Sequence, residues 1–69
     1  MIDQGTFYLE LLRELGTPEK PFQILKPGPS GHYEISAAGY TYFAINFDIE
    51  TLMRACVFIQ SGIRKDQGW

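Results

Sequence analysis

The chain has 69 residues, a formal net charge of −2, one cysteine (Cys56) and one histidine (His32). This length is enough for one domain, and a single Cys and a single His cannot form an intrachain disulfide or a four-ligand zinc site. We therefore expect no metal and no cofactor, and the scattered basic residues argue against the positive stripe of a nucleic-acid-binding protein.

The sequence predicts an acidic protein of the cytoplasm. No apolar run approaches the ~20 residues needed to span a membrane. The first residues lack the basic-then-apolar order of a signal peptide. Under reducing conditions Cys56 is expected to remain a free thiol.

The first predicted element is a helix over residues 3–15. Its apolar positions recur at i, i+3, i+4 and i+7, which is the spacing of one helix face. Asp3 or Thr6 is expected to cap its start, and Gly16 is expected to end it in the left-handed conformation. The apolar stripe consists of Tyr8, Leu11, Leu12 and Leu15.

The next stretch alternates with the period of a β-strand and predicts strands over 22–26, 32–36 and 40–46. Two prolines and two glycines make residues 27–31 a constrained loop. Residues 37–39 fit a three-residue hairpin turn that ends in Gly39.

The same alternation predicts which strand side chains face the core. Tyr33 and Ile35 share one face of the second strand. In the third strand we expect Phe43 and Ile45 to face the core, with Tyr40 on the other face. Tyr42 is expected to lie beside Tyr40 on that second face.

A second helix is predicted over residues 48–63. Asp48 is a suitable N-cap, Gly62 marks the expected C-terminal break, and residues 64–69 form a tail. The apolar positions of the helix are Ile49, Leu52, Met53, Cys56, Ile59 and Ile63. Cys56 lies within this stripe, so we interpret it as a buried structural thiol.

These elements predict a single α+β domain over residues 1–69. The connections between the strands are too short for parallel crossovers, so the sheet is expected to be a three-stranded antiparallel β-meander. An N-terminal and a C-terminal helix flank it in the order α-β-β-β-α.

The chain holds more apolar surface than a domain of this size can cover, and such surplus typically marks an interface. We therefore predict a non-catalytic module that regulates or inhibits a larger protein by occupying its surface, or that forms a homodimer. The expected partner contacts are Tyr40, Tyr42, Arg54, Val57, Phe58 and Trp69.

Two alternatives remain open at this stage. His32 and Glu34 fall on one strand face and could exchange protons in a small enzyme or ligand-binding protein with a pocket at a dimer interface. An exposed histidine at a strand end is the simpler interpretation of that pair. The second alternative, a nucleic-acid-binding protein, has only the pair Arg64 and Lys65 in its favour.

Overall fold

A three-stranded antiparallel sheet and two helices make up the fold, in the order α-β-β-β-α. The computed structural model describes residues 3–26, 29 and 31–68. Most of the loop predicted at 27–31 lies outside the described residues, as does Trp69. The elements are α1 (Gln4–Leu15), β1 (Gln23–Leu25), β2 (Tyr33–Ala37), β3 (Tyr40–Ala44) and α2 (Ile49–Asp66).

Both helices begin at an aspartate cap, as the sequence predicts. The carboxylates of Asp3 and Asp48 accept hydrogen bonds from the backbone N–H of Thr6 and Thr51, each at 2.8 Å. These bonds satisfy amides that have no partner within the helix. Because the N–H groups stabilise the charged form, the pKa of each aspartate is lowered.

The conformation predicted for Gly16 is wrong. Gly16 has φ −68° and ψ 155°, which is extended rather than left-handed backbone. A Cβ at this position would lie 2.6 Å from the backbone nitrogen of Phe22. Glycine is therefore required here by the close approach of the chain that leads into β1 rather than by a positive φ.

The predicted end of the second helix is also wrong, because α2 continues through Gly62 to Asp66. A glycine inside a helix costs about 1 kcal/mol relative to alanine. Here that cost is offset by packing, since the ring of Tyr40 occupies the space beside Gly62 that a side chain would need. The backbone N–H of Gln67 then closes the helix by bonding the carbonyl of Arg64 at 3.0 Å.

The hairpin between β2 and β3 has a two-residue turn in place of the predicted three-residue turn. Ala38 (φ 56°) and Gly39 (φ 89°) both adopt positive φ, as a type I′ turn requires. Ala37 therefore pairs with Tyr40, and Ile35 with Tyr42.

This register reverses the predicted faces of β3. Tyr40 and Tyr42 pack against the core, whereas Phe43 and Ile45 are exposed. A change of one residue in the pairing moves every side chain of a strand to the opposite face, so the assignment of Phe43 and Ile45 to the core was wrong.

The core lies between the helices and one face of the sheet. Both helices contribute, since Leu12 of α1 and Ile59 of α2 are fully buried together with Ile35 of β2. The buried cluster comprises Leu12, Ile35, Ala37, Leu52, Ala55, Cys56 and Ile59. The second face of the sheet is not part of this cluster.

Candidate protein-binding surface

Within the described residues, no helix or strand covers the sheet face that points away from the helices. This surface is called here the open face. Its first row runs across the strands through Leu25, Glu34 and Phe43, which are paired in register. Its second row runs through Gln23, Ser36 and Thr41. The open face therefore has one polar row beside one row with apolar residues at both ends and a carboxylate at the centre.

Large apolar side chains of this region are uncovered. Leu25 is 51% exposed and Phe43 is 60% exposed, while Ile45, directly after β3, is 81% exposed. A single exposed apolar residue is common on protein surfaces, but several near the same sheet face form the type of patch that is typical of an interface.

His32 packs beside this patch. Its ring meets that of Phe43 edge to face, with ring centroids 5.3 Å apart, and its Nε2 lies 4.0 Å from Oε2 of Glu34. The small-enzyme alternative places its acid–base pair here. The observed separation is longer than the ~2.6–3.2 Å of a direct hydrogen bond between an acid and a base, so the two side chains are neighbours beside Phe43 without a direct bond between them.

Tyr40 and Tyr42, predicted as partner contacts, lie on the covered face. The hydroxyl of Tyr40 shares its single proton between two acceptors, the carboxylate of Asp66 and the carbonyl oxygen of Gly62 at 3.0 Å. The carboxylate of Asp66 raises the pKa of Tyr40, and partial burial adds to this effect. Tyr40 thus fixes the C-terminal half of α2 against the start of β3.

Tyr42 fixes the middle of the same helix. Its ring lies 5.8 Å from that of Phe58, measured between centroids. The guanidinium of Arg54 bonds the carboxylate of Glu50 at 2.7 Å, and the pKa of Arg54 is raised first by Glu50 and then by the hydroxyl of Tyr42.

The side of α2 that lies alongside β3 is called here the α2 flank. Its residues are exposed and recur at helical spacing. They are Glu50, Arg54, Phe58, Ser61 and Lys65. Two clefts adjoin it, one of about 320 Å³ that includes Tyr42 and Arg54 and one of about 260 Å³ that includes Tyr40 and Phe58.

The structure separates the remaining predicted contacts. Val57 is exposed on α2 at helical spacing from Ile49 and Met53, which are also exposed, so these three form a narrow apolar strip outside the α2 flank. Trp69 lies outside the described residues. The predicted set is therefore divided between the covered face, the α2 flank and this strip.

Cys56 is placed as a structural thiol. It is buried in the core cluster, its Sγ lies 3.5 Å from the carbonyl oxygen of Tyr8, and burial raises its pKa. A thiol in such surroundings is a weak nucleophile at neutral pH.

Comparison of the chain with protein-family models, with curated proteins and with solved structures finds no match. In the part of the chain that the structure describes, neither helix combines the length and the apolar character needed to cross a membrane.

Sequence reasoning missed Phe43 and Ile45 as contact candidates, because it assigned both to the core. One signal for them is present in the sequence: residues 35–47 form the longest stretch without a charged residue. A strand inside such a stretch, at the edge of a small sheet, lacks the charges that usually protect strand edges.

Proposed function

We propose that this protein is a small non-catalytic binding module that regulates or inhibits a larger protein by occupying a surface of that protein. The open face of the sheet, extended by Ile45, is the proposed contact surface. The proposed location is the cytoplasm, where a single buried thiol such as Cys56 stays reduced.

The observation that carries this proposal is the exposure of Leu25, Phe43 and Ile45. Completely burying a side chain of this kind stabilises a complex by about 1.5–3 kcal/mol. A partner that covered the remaining exposed parts of all three would gain a large share of the free energy of a specific complex. We prefer the open face to the strip on α2 because Ile45 is 81% exposed and Phe43 60% exposed, whereas Val57, the most exposed residue of the strip, is 59% exposed.

The residues of the open face also indicate which residue types the contact surface of the partner should have. Glu34 lies between Leu25 and Phe43 in register, so a partner that covers the two apolar residues must also cover this carboxylate. Covering a carboxylate without a partner is costly. The matching surface is therefore apolar, with an arginine or lysine at its centre that bonds Glu34.

Leu25→Asp is expected to weaken partner binding by about 10- to 30-fold, which is about 1.4–2 kcal/mol. The change removes an apolar contact at one end of the first row and puts a carboxylate where the matching surface of the partner is apolar. The partner is first captured from the native host and purified, and its dissociation constant is then measured by calorimetry.

Gln23→Asp is the matched control, because Gln23 lies on the same strand and the same face but in the polar row. It adds the same charge without removing an apolar contact, and we expect a change of less than about 3-fold. Equal weakening by the two variants, or weakening by neither, would overturn the open face as the contact surface. Titrating the module into an activity assay of the captured protein then tests whether binding inhibits it.

A further inference from the structure

Among the residues that the structure describes, no strand pairs with the outer edge of β3. In a two-residue hairpin the residues that flank the turn, here Ala37 and Tyr40, form a hydrogen-bonded pair. Bonded and non-bonded pairs alternate along an antiparallel ladder. The N–H and C=O groups of Tyr40 and Tyr42 therefore face β2, whereas those of Thr41 and Phe43 point outward from the sheet.

This edge lacks the features that usually prevent strand pairing, namely charged residues, proline or a bulge. Residues 35–47 contain no charged residue and no proline. The opposite edge is different, because β1 has only three residues, Pro21 precedes it and Lys26 follows it. The sheet thus has one protected and one unprotected edge.

We propose that two copies of this chain pair through their β3 edges, antiparallel about a two-fold axis at Tyr42, into a continuous six-stranded sheet. Self-pairing brings no like charges together, because the strand has none. Thr41 of one copy lies opposite Phe43 of the other, and their outward backbone groups bond each other. The protected β1 edges end the sheet at two copies, so the assembly closes as a dimer.

The charges along the α2 flank are complementary to those of the same flank on a second copy of the chain. Tyr40 contacts Gly62 and Tyr42 contacts Phe58, so α2 runs antiparallel to β3 beside it. The two-fold axis at Tyr42 therefore passes near Phe58. In the dimer, Glu50 at the N-terminal end of one α2 flank faces Lys65 at the C-terminal end of the α2 flank of the second copy. The pairing also covers Phe58, which is 46% exposed in the single chain.

This inference does not rest on the proposed function. Edge pairing extends the sheet in its own plane and leaves the open face uncovered, so Leu25 stays available to another protein in the dimer. If the chain proves to be monomeric, the effect expected of Leu25→Asp on partner binding stays the same. If Leu25→Asp does not weaken partner binding, the expected dimer stays the same.

Thr41→Pro tests the dimer by removing one outward N–H while leaving the bonds to β2 in place. Thr41→Val is the matched control, since it keeps the amide and the size of the side chain. Sedimentation equilibrium over a range of concentrations is expected to show a dimer for the wild type and for Thr41→Val. The dissociation constant of the dimer is expected to be at least 10-fold higher for Thr41→Pro. A wild-type chain that stays monomeric up to about 1 mM overturns the proposal.

Amide hydrogen exchange on the wild-type chain gives a test that does not depend on how a variant folds. The amides of Thr41 and Phe43 are expected to exchange at least 10-fold more slowly at dimer-forming concentrations than after dilution. The amide of Ile24, which faces outward at the β1 edge by the same alternation, is the internal control and is expected to stay unchanged. Exchange at Thr41 and Phe43 that does not depend on concentration, in a sample that sediments as a dimer, assigns the interface to another surface and overturns the proposal.

Discussion

Ile59→Ala is expected to lower the free energy of unfolding by about 2–5 kcal/mol. Ile59 is fully buried on α2, in the cluster that joins both helices to the sheet. Truncation removes apolar contacts and leaves a cavity that the surrounding elements fill only in part. Because the total stability of a domain of this length is about 3–10 kcal/mol, this change removes a large fraction of it. Urea denaturation followed by far-ultraviolet circular dichroism measures the loss.

Val57→Ala is the control for this prediction, because Val57 lies two residues earlier on the same helix and is 59% exposed. We expect its effect to stay within about 0.5 kcal/mol. A loss of stability at Val57 as large as that at Ile59 would mean that α2 buries a different face from the one described.

Gly62→Ala is the second change with a large expected effect, and its direction is opposite to the one helix propensity predicts. Alanine is favoured over glycine inside a helix by about 1 kcal/mol. At Gly62, however, the new Cβ would lie 2.6 Å from Cε1 of Tyr40 and 2.7 Å from Cδ1 and Cζ. The ring must move and its hydroxyl then loses the bond to the carbonyl of Gly62. Overpacking of this kind costs about 1–3 kcal/mol and the lost bond about 1 kcal/mol, so we expect a net loss of about 1–3 kcal/mol.

The same change in a Tyr40→Ala background separates the clash from other effects. Without the ring, Gly62→Ala is expected to stabilise the protein by up to about 1 kcal/mol, since only the gain in helix propensity remains. The four proteins of this double-mutant cycle are compared by chemical denaturation. If Gly62→Ala has the same sign in both backgrounds, the contact between Tyr40 and α2 does not explain why the helix tolerates this glycine.

The order of the elements followed from the hydrophobic pattern, because the period changes from helical to alternating and back. The starts of both helices followed from Asp3 and Asp48, whose side chains have an evident capping role. The end of α2 did not follow, since Gly62 is a helix breaker by local chemistry and is retained through its contact with Tyr40, a residue 22 positions away. Tertiary contacts of that kind are not visible in a local pattern.

The turn between β2 and β3 decides whether Phe43 lies in the core or on the open face. With Ala37 inside the turn, Phe43 would share a face with Tyr33 and lie in the core. With Ala37 in β2, as the structure has it, Phe43 lies on the open face. The two-residue turn requires a positive φ at Ala38, which is costly for alanine. The sequence therefore favoured the three-residue turn, and the packing of Tyr40 and Tyr42 against the core, which the two-residue turn brings about, offsets this local cost.

Photochemical crosslinking from two exposed phenylalanine positions tests most directly whether the open face binds the target protein. A benzophenone side chain replaces Phe43, on the open face, or Phe7, which is 50% exposed on α1, and the adducts formed in native host cells are identified by mass spectrometry. We predict an adduct with one larger protein from position 43 and none with that protein from position 7. An adduct with a larger protein from position 7 alone, or from neither position, would contradict the central claim that the open face is where this module binds its target.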